Sequence, residues 1–132
     1  MSKNRELIAI LRGLTTDRCI RVSEILIAAG FNKLEVPLNS PKPLDTILAM
    51  QEKFGSSIIV GAGTVTKVSE VNSLSGLGCQ MIVSPNTDKD VIKAILNMKQ
   101  FYIDPIEWMD EELKKNNEFI MELRKEDLIT SD

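Results

Sequence analysis

Four short apolar runs alternate along the chain with longer amphipathic stretches. The runs are LIAILR (7–12), KLEVPL (33–38), SIIVGAG (57–63) and QMIVSP (80–85). Each run is apolar at nearly every position rather than at alternate positions. This is typical of strands that are buried on both faces of a parallel sheet. The pattern therefore predicts four parallel β-strands.

The stretches between these runs have the apolar spacing of helices. The first helix is predicted to begin at the Thr-Thr-Asp sequence of residues 15–17 and to end at Gly30. We expect Gly30 to adopt the left-handed conformation that often follows a helix. Gly55 is predicted to close the second helix, and two further helices follow the third and fourth runs. The chain thus repeats a β-α unit, and right-handed crossovers would set successive strands side by side.

Two α/β folds are built from such units, the (β/α)8 barrel and the open doubly wound sheet. No Gly-x-Gly-x-x-Gly sequence follows the first strand, so nothing supports a dinucleotide site. We therefore predict a partial (β/α)8 TIM barrel of four to five β-α units. The chain has 132 residues, whereas a full barrel usually needs about 250.

The pattern changes after residue 98, so we divide the chain into a half barrel at 1–98 and a divergent tail at 99–132. Within the tail, FYIDP (101–105) could form a fifth strand, and residues 106–124 have helical spacing with many charges. The first part holds 11 Lys/Arg and 9 Asp/Glu, net +2, and the tail holds 5 and 10, net −5. We expect the acidic tail helix to be a solvated surface.

Composition excludes several classes of function. Neither part of the chain has the basic stripe of a nucleic-acid binder, and no apolar run approaches the roughly 18 residues of a membrane span. The start of the chain also lacks the apolar core of a signal peptide. We therefore expect a cytoplasmic protein that binds neither nucleic acid nor membrane.

Histidine is absent from the chain, and two cysteines, Cys19 and Cys79, lie in apolar stretches. The lack of histidine excludes Ser-His and Cys-His catalysis and argues against a zinc site. We expect both cysteines to be buried, reduced thiols. Acid–base chemistry must then use carboxylates, lysines or the tyrosine.

The carboxyl ends of the predicted strands are the place to look for chemistry, because barrel enzymes carry their working groups there. Glu35 lies inside an apolar strand, where an ionised carboxylate needs a partner or water. It could be a buried ion-pair partner of Arg12, but we favour a general acid–base. The remaining polar or glycine candidates are Asn39, Ser40, Gly61, Gly63, Thr64, Ser84 and Asn86.

Arg12 ends the first strand, and Thr64 follows the glycines of the third. The guanidinium of Arg12 matches a carboxylate or phosphate in two-point contact, although a structural ion pair with Glu35 is an alternative. The Gly-Ala-Gly-Thr sequence at 61–64 leaves the backbone bare, and its threonine can donate a hydroxyl. Such a loop is weak evidence alone, because glycines also serve tight turns.

Four motifs carry a family resemblance: AILRG (9–13), LEVPLNSP (34–41), IVGAGTV (59–65) and GCQMIVSPN (78–86). In this order the chain resembles the bacterial pyruvate-dependent aldolases that act on 2-keto-3-deoxy-6-phosphosugar acids. The Pro-Leu-Asn-Ser-Pro sequence is similar to the galactonate branch, the 2-dehydro-3-deoxy-6-phosphogalactonate aldolases. The resemblance covers the N-terminal half of such an enzyme.

The resemblance implies a class I lyase that uses neither metal nor other cofactor. A lysine forms a Schiff base with the keto carbon, and the substrate is cleaved to pyruvate and glyceraldehyde 3-phosphate. Glu35 matches the glutamate that shuttles protons to and from the imine and the enamine. Arg12 and Thr64 match residues that hold the substrate. The implied partners are a phosphorylated 2-keto-3-deoxy sugar acid or pyruvate.

One part of the family pattern is missing. The family's lysine lies in a Lys-Ile/Leu-Phe-Pro motif, which does not occur in this sequence, and we expect no replacement by Lys114, Lys115 or Lys125 on the charged tail helix. The chain is therefore expected to be truncated before its Schiff-base lysine and inactive alone, which leaves open whether it is an enzyme. The alternatives are an inactive remnant, or an interaction protein that forms homo-oligomers through the exposed edges of its half barrel.

Overall fold

The computed structural model describes residues 6–98 of the chain. Strands and helices alternate through this range without exception. In chain order they are β1 (Ala9–Ile10), α1 (Thr16–Ala28), β2 (Lys33–Pro37), α2 (Pro43–Phe54), β3 (Ile59–Gly63), α3 (Val68–Gly76), β4 (Met81–Ile82) and α4 (Lys89–Leu96).

The four strands form one parallel sheet in the order β1-β2-β3-β4. Each strand therefore pairs with the strand before it in the chain, as right-handed β-α-β crossovers predict. A doubly wound sheet would reverse its strand order at a switch point. No reversal occurs among the strands of residues 6–98, so this part of the chain is organised as a barrel wall.

The hydrophobic core lies between the sheet and its helices. One face of the strands contributes residues that are almost fully buried, and the helices supply their partners. The strand members are Leu34, Val36, Val60, Ala62 and Ile82, and the main helix members are Cys19, Ile47, Met50, Val71, Leu74 and Val91. The runs of β2 and β3 are buried almost throughout, which explains why these strands show no alternation of polar and apolar residues. The first run departs from the prediction: Leu7, Ile8 and Ile10 are exposed, because β1 is the edge strand of the described sheet and has a neighbour on one side only.

The helix ends follow local rules that were partly visible in the sequence. Gly30 has φ +101°, as predicted, and its N–H donates to Ile27 O at 3.0 Å while Phe31 N–H donates to Leu26 O at 3.0 Å. These two bonds form a Schellman motif. At the start of α4, the Asp88 carboxylate accepts hydrogen bonds from the N–H groups of residues 90 and 91. Such a side-chain cap satisfies two of the four free donors at a helix start.

Both predictions for the tail, the fifth strand at 101–105 and the helix at 106–124, lie outside the described residues. The boundary between 98 and 99 stays a prediction for the same reason. Of the helices that the structure describes, none is long and apolar enough to cross a membrane.

Candidate functional site

A row of four residues crosses the sheet at the level of Glu35. The strand registers place Ile10, Glu35, Gly61 and Met81 side by side on β1 to β4. Residues in register on neighbouring parallel strands face the same side, and adjacent residues along a strand face opposite sides. Leu34 packs toward the helices, so this row lies on the other face, which would line the inside of a barrel.

Glycines at two positions of β3 leave room for the neighbouring side chains of this row. A Cβ at Gly63 would overlap both carboxylate oxygens of Glu35. A Cβ at Gly61 would lie 2.6 Å from Met81 Cε and 2.8 Å from Met81 O. The Glu35 carboxylate therefore lies over the β3 backbone at Gly63, and the Met81 side chain lies over it at Gly61.

The Glu35 side chain is buried without full hydrogen bonding. The residue is 3% exposed, and its Oε2 atom has no hydrogen-bond partner. Desolvation by burial raises the pKa of the Glu35 carboxyl above its ordinary value, and the positive charge of Arg12 opposes this to a smaller extent. A carboxyl with a raised pKa keeps its proton to a higher pH than an ordinary glutamate, which favours a role as a general acid–base.

Arg12 lies at the carboxyl end of β1 and is exposed. None of the ion pairs within 4.0 Å among residues 6–98 involves Arg12. Its guanidinium nevertheless acts on the Glu35 carboxyl through its charge. The charge of Arg12 thus acts on Glu35 without the structural ion pair that was one interpretation of the sequence.

Thr64 directly follows Gly63 and has an unusual backbone conformation. Its φ is +58°, in the left-handed region, and the residue is half-buried. For a β-branched residue this conformation is strongly disfavoured, at a cost of about 1–3 kcal/mol. Strained residues of this kind cluster at functional sites, where the surrounding structure enforces them. Thr64 is therefore held at the end of β3, at the same edge of the sheet as Arg12.

The other strand-end candidates have local roles. Ser84 Oγ is 3.0 Å from Asn86 O and 3.1 Å from Asn86 Oδ1, so it closes the turn after β4. Ser40 is buried, and its Oγ accepts a hydrogen bond from Gly13 N–H at 3.1 Å. Met81, which lies over Gly61, was not foreseen from the sequence. Its place depends on the register between β3 and β4, for which a single sequence holds no signal.

Both cysteines are free and buried, as predicted. Burial raises the pKa of the Cys19 and Cys79 thiols, which disfavours the reactive thiolate. Within residues 6–98, no group of three or more Cys, Asp or Glu side chains could hold a metal ion. Glu35 therefore stays the candidate acid–base of this part of the chain, with Arg12 and Thr64 at the carboxyl ends of β1 and β3.

Comparison with known proteins gives a consistent result. The family model for KDPG and KHG aldolases matches residues 1–115. The 2-dehydro-3-deoxy-6-phosphogalactonate aldolase of Escherichia coli K12 is 45% identical over 87 residues, which are 66% of this chain and 42% of that protein. A probable enzyme of the same name from Rhizobium meliloti is 40% identical over 89 residues, 67% of this chain and 42% of that protein. The chain thus spans less than half the length of these relatives.

Solved structures agree with the sequence relatives. A native KDPGal structure superimposes with a TM-score of 0.70 at 40% identity, covering 74% of this chain and 48% of that one. This similarity confirms the predicted fold, a part of a (β/α)8 barrel.

Proposed function

Because this chain belongs to the KDPG and KHG aldolase family, we propose that it carries the proton-transfer and substrate-binding part of a class I aldolase. The reaction is the cleavage of 2-dehydro-3-deoxy-6-phosphogalactonate to pyruvate and glyceraldehyde 3-phosphate, in the cytoplasm. The observation that carries the proposal is Glu35, a buried carboxyl with an unpartnered oxygen that lies over the β3 backbone at Gly63.

Glu35 has the properties that the proton steps require. In class I chemistry a lysine amine condenses with the keto carbon, and the protonated imine accepts the electron pair of the breaking carbon–carbon bond. Protons must move to and from the imine and the enamine in these steps. Burial raises the pKa of Glu35, so that its carboxyl can hold such a proton and release it again.

Arg12 and Thr64 are the proposed substrate-binding residues. The substrate carries a carboxylate and a phosphate, and an arginine fork binds either group through two hydrogen bonds. Thr64 is held in a strained conformation directly after Gly63, over which the Glu35 carboxylate lies, and its hydroxyl is proposed to meet the ligand there. The sequence has no Lys-Ile/Leu-Phe-Pro motif, so we expect these 132 residues to bind the substrate without turning it over.

The test combines binding with Schiff-base trapping. We expect 2-dehydro-3-deoxy-6-phosphogalactonate, titrated into isotope-labelled protein, to shift the NMR signals of residues 12, 35 and 64. Arg12→Ala should abolish these shifts, whereas Arg21→Ala, which changes an exposed arginine on α1, should leave them unchanged. Absence of shifts at saturating ligand would refute the proposed binding site.

Trapping addresses the chemistry separately. The chain is incubated with pyruvate and borohydride and its intact mass is measured, with the full-length Escherichia coli relative as the positive control. We expect an adduct on the control and none on this chain. An adduct on one lysine of this chain would show that it has a Schiff-base site of its own, and the expectation of inactivity would be wrong.

An interaction function is the second candidate, and the exposed apolar residues of the β1 region favour it. Leu7 is 59% exposed and Ile10 is 62% exposed. Among the described strands, β1 pairs with β2 alone, and an unpaired strand edge can recruit another chain. If the chain forms homo-oligomers through this edge, Ile10→Lys should reduce the mass measured by light scattering. Ile25→Lys, on the outer surface of α1, is the matched control.

A further inference from the structure

Ser40 is the one residue in the loop between β2 and α2 whose side chain reaches the loop after β1. It is 6% exposed, and its hydroxyl oxygen accepts the Gly13 N–H at 3.1 Å across 27 positions of sequence. Its own N–H donates to Pro37 O at 3.0 Å. Ser40 is thus fixed to the end of β2. Its hydroxyl also holds the β-turn that follows β1.

The turn that Ser40 holds contains Arg12. Leu14 N–H donates to Leu11 O at 3.2 Å, which makes residues 11–14 a β-turn with Arg12 and Gly13 at its centre. Gly13 has φ +81°, the sign that a type II turn requires at its third residue. In such a turn the N–H of the third residue has no partner inside the turn. Ser40 supplies that partner.

Packing holds the ends of this turn, where Leu11 and Leu14 lie against the core, but it does not fix the centre. A Cβ placed on Gly13 would meet nothing within 4 Å, and Arg12 itself is exposed. Glycine is the most permissive residue in backbone conformation, so the direction in which Arg12 leaves the sheet depends on the hydrogen bonds of the turn. Two hydrogen bonds tie this turn to β2 and the loop that follows it. Leu11 N–H donates to Glu35 O at 2.8 Å at the start of the turn, and Gly13 N–H donates to Ser40 at its centre, next to Arg12.

We propose that Ser40 is a positioning residue, which holds the Arg12 turn so that the guanidinium faces the Glu35 side of the sheet. Ser40 acts through Gly13 and touches neither reacting group. The proposal rests on the proposed function only where Arg12 binds substrate. The positioning itself concerns Arg12 and Glu35 alone and can be measured without any ligand.

The test is a double-mutant cycle read by carbon-13 NMR titration of the Glu35 carboxyl. The charge of Arg12 lowers the pKa of Glu35, so Arg12→Ala should raise it. Ser40→Ala should raise it in the same direction by a smaller amount, because the guanidinium is no longer held in place. In the Arg12→Ala background, Ser40→Ala should have no further effect. Ser40→Thr, which keeps the hydroxyl, should behave like the unsubstituted protein.

Two results would overturn the proposal. One is an equal effect of Ser40→Ala with and without Arg12, since Ser40 would then act directly on Glu35. The other is no effect in either background. Ser57→Ala is the matched control, because it removes an exposed hydroxyl that bonds Phe54 O at 3.1 Å ahead of β3. It should leave the pKa of Glu35 unchanged.

A second measurement needs no substitution and covers the case in which Ser40→Ala does not fold. The Gly13 amide should exchange with solvent deuterium more slowly than an unstructured peptide, because its hydrogen is bonded to Ser40. Exchange at the peptide rate would overturn the proposal. The substrate titration can also fail while the Gly13 amide exchanges slowly and the double-mutant cycle gives the expected result. That outcome would count against the proposed function and not against the positioning role of Ser40.

Discussion

The Glu35 carboxylate occupies the space that a side chain at Gly63 would need. A Cβ at Gly63 would overlap both carboxylate oxygens, although the two residues lie on neighbouring strands and are not in register with each other. Glu35 is level with Gly61, and its side chain leans along the sheet toward the next glycine of β3. The absence of a side chain at residue 63 thus determines where the acidic group lies.

Gly63→Ala should displace the Glu35 carboxylate and destabilise the fold. Forcing a methyl group into an occupied site typically costs about 1–3 kcal/mol. Chemical denaturation would measure the change in the free energy of unfolding. Gly76→Ala is the matched control, because a Cβ at Gly76, at the end of α3, meets nothing within 4 Å. Equal effects at the two glycines would contradict the steric relationship.

The stability of the protein should depend on the ionisation of Glu35. Its pKa is raised in the folded state, so the unfolded chain loses this proton first as the pH rises. The free energy of unfolding should therefore fall between the ordinary glutamate pKa and the raised one, and the loss is complete above the raised value.

Glu35→Gln should remove this component of the pH dependence, because an amide does not ionise. Urea denaturation at several pH values from acid to neutral would measure the free energy of unfolding of both proteins. We expect the variant to become more stable relative to the unsubstituted protein as the pH rises. Glu52→Gln changes an exposed carboxylate of α2 and serves as the control. A difference that shrinks with rising pH would have the wrong sign.

Thr64→Gly should stabilise the fold, in contrast to most glycine substitutions. Glycine relieves the strain of a β-branched residue at φ +58°, while the added freedom of the unfolded chain costs about 0.5–1 kcal/mol. We expect a net gain of roughly 1 kcal/mol in the free energy of unfolding, with weaker ligand binding because the hydroxyl is lost. Thr66 lies outside the left-handed region, so Thr66→Gly should destabilise the fold. A loss of stability in both variants would refute the strain at Thr64.

Asp88→Ala should loosen the start of α4. The Asp88 carboxylate accepts hydrogen bonds from Asp90 N–H at 2.9 Å and Val91 N–H at 3.0 Å, and loss of such a cap typically costs about 1 kcal/mol. Asp88→Asn keeps an accepting oxygen and should retain most of the stability. Thermal unfolding of the unsubstituted protein and the two variants would test this order of stability. Similar midpoints for the unsubstituted protein and Asp88→Ala would show that the cap contributes little.

The sequence allowed the architecture and the family to be predicted. Buried apolar runs alternating with helical periods predicted the β-α units, and the resemblance to the phosphosugar-acid aldolases is confirmed by the family match and the relatives. The strands themselves are shorter than the runs. β1 covers Ala9–Ile10, because an apolar run records side-chain composition whereas a strand ends where its hydrogen-bonding ladder ends. Leu11 N–H makes the last bond, to Glu35 O, before the chain turns.

The arrangement within the site was only partly accessible from sequence. A glutamate in an apolar strand is visible in one sequence, and it was expected to face the barrel mouth. The contacts of Gly63 with Glu35, Gly61 with Met81 and Ser40 with Gly13 join different β-α units. They depend on strand register and loop direction, which arise from packing between units and leave no local pattern in a single chain.

The strand order β1-β2-β3-β4 also has a consequence for how the chain folds. Every strand pairs with the strand synthesised just before it, so each new β-α unit closes only a short loop onto a surface that already exists. Short loop closures lower the entropic cost of pairing each strand, and contacts that are local in sequence favour fast folding. The strand order therefore favours rapid formation of the sheet once the chain begins to fold.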